Sequence, residues 1–222
     1  MNIVGCAYQR WALKIFDFIK QRSGVEIKIF KTPADVSLEN IEPYNPDLVF
    51  FYGWDWEVPS EIVGKYPCLC LHSSPLPKYR GGSPLQHQIM NGEIESAVSI
   101  FKMNGEVDAG ELCVQVPFSL EGNLYEILDQ ITEIGRFETL RIIREWPELK
   151  FWPQEGEPSV FERSEPEESE ITKEDLTLGT ARYLFNKIRS LQGPCPHAFI
   201  TCADGQKLYI LEAEVENEPD VL

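Results

Sequence analysis

Of the three histidines in this 222-residue chain, His72 has the neighbours that could put an imidazole to chemical use. It stands two residues after Cys70 in the run Cys70-Leu71-His72-Ser73-Ser74-Pro75-Leu76-Pro77-Lys78-Tyr79-Arg80-Gly81-Gly82-Ser83-Pro84. This run leaves a strand, turns through prolines and glycines, and enters a helix. Strand alternation puts Cys70 and His72 on one face. A second turn, Asp108-Ala109-Gly110, offers a carboxylate that would orient the ring and stabilise its charged form. Imidazole and carboxylate together are equipped for general acid–base work. Cys70 adds a second reading, a nucleophile in a Cys-His-Asp thiol acyltransferase or hydrolase. Side chains that project in parallel from one strand face are poorly placed to exchange a proton, however. A buried, inert thiol is the plainer reading.

Around this centre lie residues suited to binding. Lys78 and Arg80 are either a solvated loop or a phosphate clamp, Arg80 with its bidentate fork and Lys78 as a point charge. Tyr52, Trp54 and Trp56 follow an apolar strand in the run FYGWDW, and read as core or rim residues. A flat heteroaromatic ring would pack well on such a platform. Gln86 and His87 open the next helix and could face an acceptor.

These residues need a scaffold, and the pattern around them predicts an α/β domain with a mostly parallel sheet. Asn2 to Cys6, Val25 to Phe30, Leu48 to Phe51 and Pro67 to His72 read as strands. Gln9 to Gln21 between the first two carries Trp11, Ile15, Phe18 and Ile19 at helical spacing. Pro84 to Asn91 reads as a helix, and Ala97 to Met103 and Glu111 to Val116 as strands around NGEVDAG. A long helix begins at Asn123, an N-cap with Glu126 three residues on. His72 thus falls at a strand's carboxyl end, where open parallel sheets bind ligands. A glycine fingerprint should follow the first strand, but only Gly5 is present, so NAD is a poor candidate. From Glu155 to Asp175 nine acidic residues face two basic ones, which predicts an extended surface linker. A short helix around Ala181 to Ile188 and a hairpin, His197 to Cys202 with Lys207 to Leu211, follow. The domains expected are thus 1–150 (catalytic), 151–176 (acidic linker) and 177–222 (a small C-terminal module).

The site resembles the folate-dependent formyltransferases. That family's signature is Asn-x-His-x-Ser-x-Leu-Pro, then Tyr-Arg-Gly and a helix, then Asp-x-Gly. Here His72, Ser74, Leu76, Pro77, Tyr79, Arg80, Gly81, Pro84, Asp108 and Gly110 match it, as does Asn91-Gly92-Glu93. The likeness covers residues 2 to 145 and runs on more loosely through Pro153-Gln154, Ile188-Arg189, Gly205 and Glu212-Ala213-Glu214. It implies a Rossmann-like catalytic domain and 10-formyltetrahydrofolate as formyl donor, with no metal. His72 and Asp108 would be catalytic, with Cys70 a catalytic surrogate in the position of the family's Asn, and Tyr52, Trp54 and Gly110 would border the folate. Lys78, Arg80 and Gln86 would meet the acceptor. One departure stands out: Cys70 occupies the place of the family's Asn, whose amide steadies the developing oxyanion. A lost donor of that kind costs on the order of 2.7–4 kcal/mol in other enzymes, and a thiol donates only weakly.

Composition narrows the partners. The net charge of −16, with no block of Lys and Arg, opposes nucleic acid and anionic membrane. No apolar run nears the roughly 18 residues that span a bilayer, and the N-terminus lacks a signal-peptide pattern, which predicts a cytoplasmic protein. The six cysteines form no CxxC pair, which argues against structural zinc. Among the acceptors of the family it resembles, a nucleotide-linked amino sugar fits better than initiator Met-tRNA, which needs a basic track, and better than glycinamide ribonucleotide. A folate-binding relative without turnover is the non-enzymatic alternative. The apolar face of the C-terminal hairpin suits pairing in a homodimer.

Overall fold

The computed structural model describes residues 1–193 and 195–216; Pro194 and the end of the 177–222 module lie outside the described residues. The chain begins β1 (Ile3–Cys6), α1 (Arg10–Ser23), β2 (Ile27–Phe30), α2 (Leu38–Ile41), β3 (Leu48–Tyr52), α3 (Ser60–Lys65) and β4 (Cys68–His72). It continues through β5 (Arg80–Gly81), α4 (Pro84–Met90), β6 (Glu95–Lys102), β7 (Leu112–Ser119) and α5 (Leu124–Glu145). The last part holds β8 (Val160–Phe161), α6 (Lys173–Leu178), α7 (Ala181–Ser190), β9 (Ala198–Thr201) and β10 (Lys207–Ile210).

Six strands form the main sheet in the order β2-β1-β3-β4-β6-β7. The first four are parallel, and β6 and β7 add antiparallel pairs. Parallel strands buried on both faces read as continuous apolar runs, as Leu48 to Tyr52 does. Their alternate residues feed two cores. Leu48, Phe50, Tyr52, Leu69 and Leu71 pack with Ile15 and Phe16 of α1 and Ile127 and Ile131 of α5. Val49, Phe51 and Cys68 face the other way with Ile41 and Ile62, and the half-buried Cys70 and Trp54 join them.

The predicted start of α5 is present as a full capping box. Asn123 accepts from the Glu126 amide, and Glu126 accepts in return from the Asn123 amide at 2.9 Å. The C-terminal hairpin of β9 and β10 also forms as expected. Its module is docked rather than tethered. The buried Arg189 donates to the carbonyls of Leu120 and Gly122, and Gln192 accepts from the Leu124 amide at the head of α5.

The acidic stretch corrects its sequence reading. Most of its carboxylates face solvent, Asp175 with its Lys187 partner being an exception, but its backbone is built into the fold. Trp152 exchanges both backbone hydrogen bonds with Leu112, and β8 pairs in parallel with β5. Arg80 and Gly82 donate to the carbonyls of Ser159 and Phe161 at 2.9 and 3.0 Å. Acidic composition set the exposure of these side chains and said nothing about where their peptide groups bond.

Candidate active site

β4 delivers His72 to the carboxyl end of the parallel strands, beside β6, where Ser99 lies opposite it. The loop that follows is held by the buried polar side chains of Ser99 and Gln88 and by the exposed Gln115. Ser99 donates to the Ser74 carbonyl at 2.6 Å, Gln88 to that of Ser73 at 2.8 Å, and Gln115 to that of Leu76 at 2.8 Å. Ser74 itself is fully buried and donates to the Lys78 carbonyl at 2.7 Å. An unpaired buried carbonyl would cost about 1–3 kcal/mol, so these contacts fix the loop's path.

That path aims a carbonyl at the imidazole. The Tyr79 oxygen lies 2.7 Å from Nε2 of His72, and Asp108 Oδ2 lies 3.5 Å from Nδ1. Both ring nitrogens thus face oxygen acceptors. A carbonyl only accepts, so Nε2 is the nitrogen that donates, and Nδ1, on the side of the Asp108 carboxylate, is the position at which the ring can take up and hold a further proton. His72 is 8% exposed, so little water reaches this arrangement.

Asp108 is placed by backbone geometry. Its φ of 47° lies in the left-handed region, which Asp tolerates better than most residues. Gly110 is required by packing: a Cβ there would come within 1.7 Å of the Lys102 carbonyl oxygen on β6. The Gly81 amide donates to Asp108 Oδ2 at 2.8 Å, tying the two loops together.

Cys70 shares the His72 face of β4, half-buried among Leu76, Phe101 and Met103. Burial pushes its thiol well above the ordinary range, and the Asp108 charge adds to this. A thiol kept protonated is no nucleophile, so the covalent reading loses its basis.

Two expected folate contacts separate. Tyr52 is a core residue, which corrects its assignment to the cofactor. It has no exposed surface, stacks on Phe16 with centroids 5.3 Å apart, and its hydroxyl pairs with Thr139 at 3.0 Å. The cause is strand alternation: Tyr52 lies opposite Leu71, on the face away from His72. Trp54 instead joins the cluster on the His72 side, edge-on to Phe51 and Trp56. Its indole Nε1 is buried with no hydrogen-bond partner among the described residues. A buried orphan donor beside aromatic surface suits a flat ring that bears acceptor atoms. Gly110 serves the site through its packing.

The expected acceptor residues also divide. Lys78 is exposed on the loop, as a point-charge ligand requires. The Arg80 fork is instead engaged by the Gln154 carbonyl oxygen, through Nε at 3.2 Å and Nη2 at 2.6 Å. Gln86 reaches the C-terminal module, donating to the Ser190 carbonyl and to Cys195. Its carboxamide is a tie between modules, which corrects its reading as an acceptor contact.

The sequence reading missed Gln154, the peptide groups of Tyr79 and Gly81, and Phe161. Phe161 stacks on Tyr79 with centroids 5.0 Å apart and also covers His87. A further cluster lies at the ends of β1 and β3. There Asp55 accepts from Tyr8 and from Arg163, the latter at 2.9 Å. Apart from Tyr79, seven residues after His72, these partners lie far from their mates in sequence, so no local pattern announces them. Among the described residues no group of three or more His, Cys, Asp and Glu could hold a metal ion, and no helix is long and apolar enough to cross a membrane.

Residues 31–123 match the family described as formyl transferase. A methionyl-tRNA formyltransferase from Sulfurihydrogenibium sp. is 30% identical over 184 residues, covering 80% of this chain and 58% of the relative. The chain spans about half the length of the curated relatives it matches. Among solved structures, a methionyl-tRNA formyltransferase from Clostridium thermocellum superposes with a TM-score of 0.83 at 27% identity, covering 95% of this chain and 97% of the other. A likely sugar N-formyltransferase from Mycobacterium tuberculosis gives a TM-score of 0.76 at 19% identity, over 98% and 99% of the two chains. That last likeness concerns the fold.

Proposed function

We propose that this chain, which matches the formyl transferase family over residues 31–123 and a methionyl-tRNA formyltransferase at 30% identity, moves a formyl group from 10-formyltetrahydrofolate to the amine of a nucleotide-linked amino sugar. The pairing of His72 with Asp108 at a strand's carboxyl end carries the chemistry. The donor supplies a formyl carbon open to attack by a neutral amine. His72 and Asp108 take up the proton that the amine sheds, and the charged ring steadies the negative charge that builds on oxygen. The proton then passes to the folate nitrogen as its bond to the formyl carbon breaks and tetrahydrofolate leaves. Trp54, with its unpaired buried N–H, supports a pterin beside that pair.

The acidic charge supports a small acceptor over a nucleic acid. β8 pairs with the site's own loop, so the acidic run that carries Glu155, Glu157 and Glu162 lies beside residues 80 and 81. An RNA with many phosphates would meet repulsion there. A single nucleotide brings few, and the exposed Lys78 suits them. Methionyl-tRNA is the second reading, and the name shared by the curated relatives favours it. Tetrahydrofolate release, assayed with UDP-, dTDP- and CMP-linked amino sugars and with charged Met-tRNA, tests both. Release with tRNA alone would replace the sugar, and folate affinity without release in any case would leave a binding protein.

A further inference from the structure

Every hydrogen-bonding position of the Gln154 amide is engaged, and all of its partners belong to the site. Its Oε1 accepts both bonds from Arg80. Its Nε2 donates to the Asp108 carbonyl at 2.7 Å and to the Gly110 carbonyl at 2.9 Å. An amide offers two donors and two lone pairs, so it has no capacity left for a ligand. The residue arrives there because Trp152 pairs with Leu112 at the start of β7, which lays the next residues over the Asp108 turn.

That turn depends on a fastening. Asp108 sits in the left-handed region, a conformation that persists where the surroundings over-determine it. Gly105, Glu106 and Val107, which precede it, are exposed. The contacts across to the loop of residues 79–82 are the Gly81 amide on the Asp108 carboxylate and the Arg80–Gln154 bridge to its backbone.

We propose that Gln154, clamped by Arg80, is a positioning residue that sets the Asp108 carboxylate against His72. Turnover then depends on Gln154 although it touches no reacting group. Arg80 acts through Gln154, and not as a phosphate ligand. Only the kinetic part of the test rests on the formyl-transfer reading.

Two variants of the full chain separate the contacts. Gln154→Met keeps the side chain's length and removes all four bonds. Gln154→Glu keeps an acceptor for Arg80 and removes the donors to Asp108 and Gly110, and it carries the test if the first variant fails to fold. Amide hydrogen exchange on the protein alone should quicken in residues 78–83 and 104–111 and stay unchanged in β1 and β3. With 10-formyltetrahydrofolate and a dTDP-linked amino sugar, kcat should fall about a hundredfold, as small misplacements of reacting groups do. KM for the donor should stay within about twofold, since uniform binding is untouched. Arg80→Met should reproduce this pattern. On an Asp108→Asn background, Gln154→Met should remove little further activity, because both act through one carboxylate.

Unchanged exchange at 104–111 overturns the proposal. So does full additivity of the Gln154 and Asp108 substitutions, or an Arg80 variant that raises only the KM of the sugar nucleotide. If the wild-type protein formylates no such sugar, the substrate reading fails, and the exchange measurement alone decides the role of Gln154.

Discussion

One oxygen of Asp108, Oδ2, takes the Gly81 amide at 2.8 Å and lies 3.5 Å from Nδ1 of His72. The carboxylate is therefore held by the loop that also aims the Tyr79 carbonyl at the far side of the ring. Asp108→Asn keeps the shape and an acceptor for Gly81 while deleting the charge. Turnover should fall by about 10²–10⁴-fold, the range for a lost general acid–base partner, and His72→Asn should match it. Melting temperatures near the wild-type value would show that the fold survives. Near-normal rates in both variants would remove the pair from the mechanism.

Cys70 should prove dispensable. Burial, with the Asp108 charge behind it, keeps the thiol protonated. Cys70→Ala should therefore lower turnover by no more than about fivefold, equivalent to roughly one weak hydrogen bond. Near neutral pH, iodoacetamide should label the exposed Cys202 and leave Cys70 untouched, as peptide mapping would reveal. Abolished turnover in the variant, with a formylated Cys70 in the wild type, would instead establish covalent catalysis.

Lys78 and Arg80 should respond differently, although they stand two residues apart. Lys78 is exposed, and a charge that binds a phosphate remote from the amine acts alike on ground and transition states. Lys78→Ala should raise the KM of the sugar nucleotide about five- to tenfold, with kcat and the folate KM unchanged. Added salt should reduce this difference. Paired saturation curves check it, and an unchanged acceptor KM would leave the loop without a phosphate ligand.

The packing of α6 against α7 should depend on pH. Partial burial pushes the Asp175 carboxyl up, but the Thr172 amide, Lys187 and Tyr183 outweigh it and hold the value at about 2, below the ordinary 3.8. A depressed carboxyl stabilises the fold above its unfolded value and loses that contribution as pH falls towards about 2. The difference amounts to roughly 2 kcal/mol. Asp175→Asn should thus cost more stability near about pH 6 than near about pH 3, as urea unfolding at each pH would measure. An equal cost at both would mean that the charge contributes nothing.

The legible parts of this molecule were the local ones. His72 and Asp108 stand out because a strand end and an Asp-x-Gly turn are each readable within a few residues. The same holds for the capping box of Asn123 and Glu126, whose partners lie three residues apart. Tyr52 was misjudged because alternation alone would keep it on one face with Trp54; the strand ends at Tyr52, and the left-handed turn at Gly53 carries Trp54 to the other side. Arg80 was misjudged because its partner, Gln154, lies 74 residues away. The acidic stretch showed its solvated side chains and concealed the backbone pairing of β8 with β5, since peptide groups are the same in every composition.

The most direct test of the central claim is to follow the formyl carbon itself. A donor carrying a ¹³C-labelled formyl group, incubated with the protein, a nucleotide-linked amino sugar and charged Met-tRNA, should yield the label as a formamide on the sugar, read by NMR. The wild-type protein should give this product and His72→Asn should not. Label that stays on the folate, emerges as free formate, or appears only on charged Met-tRNA would contradict the account.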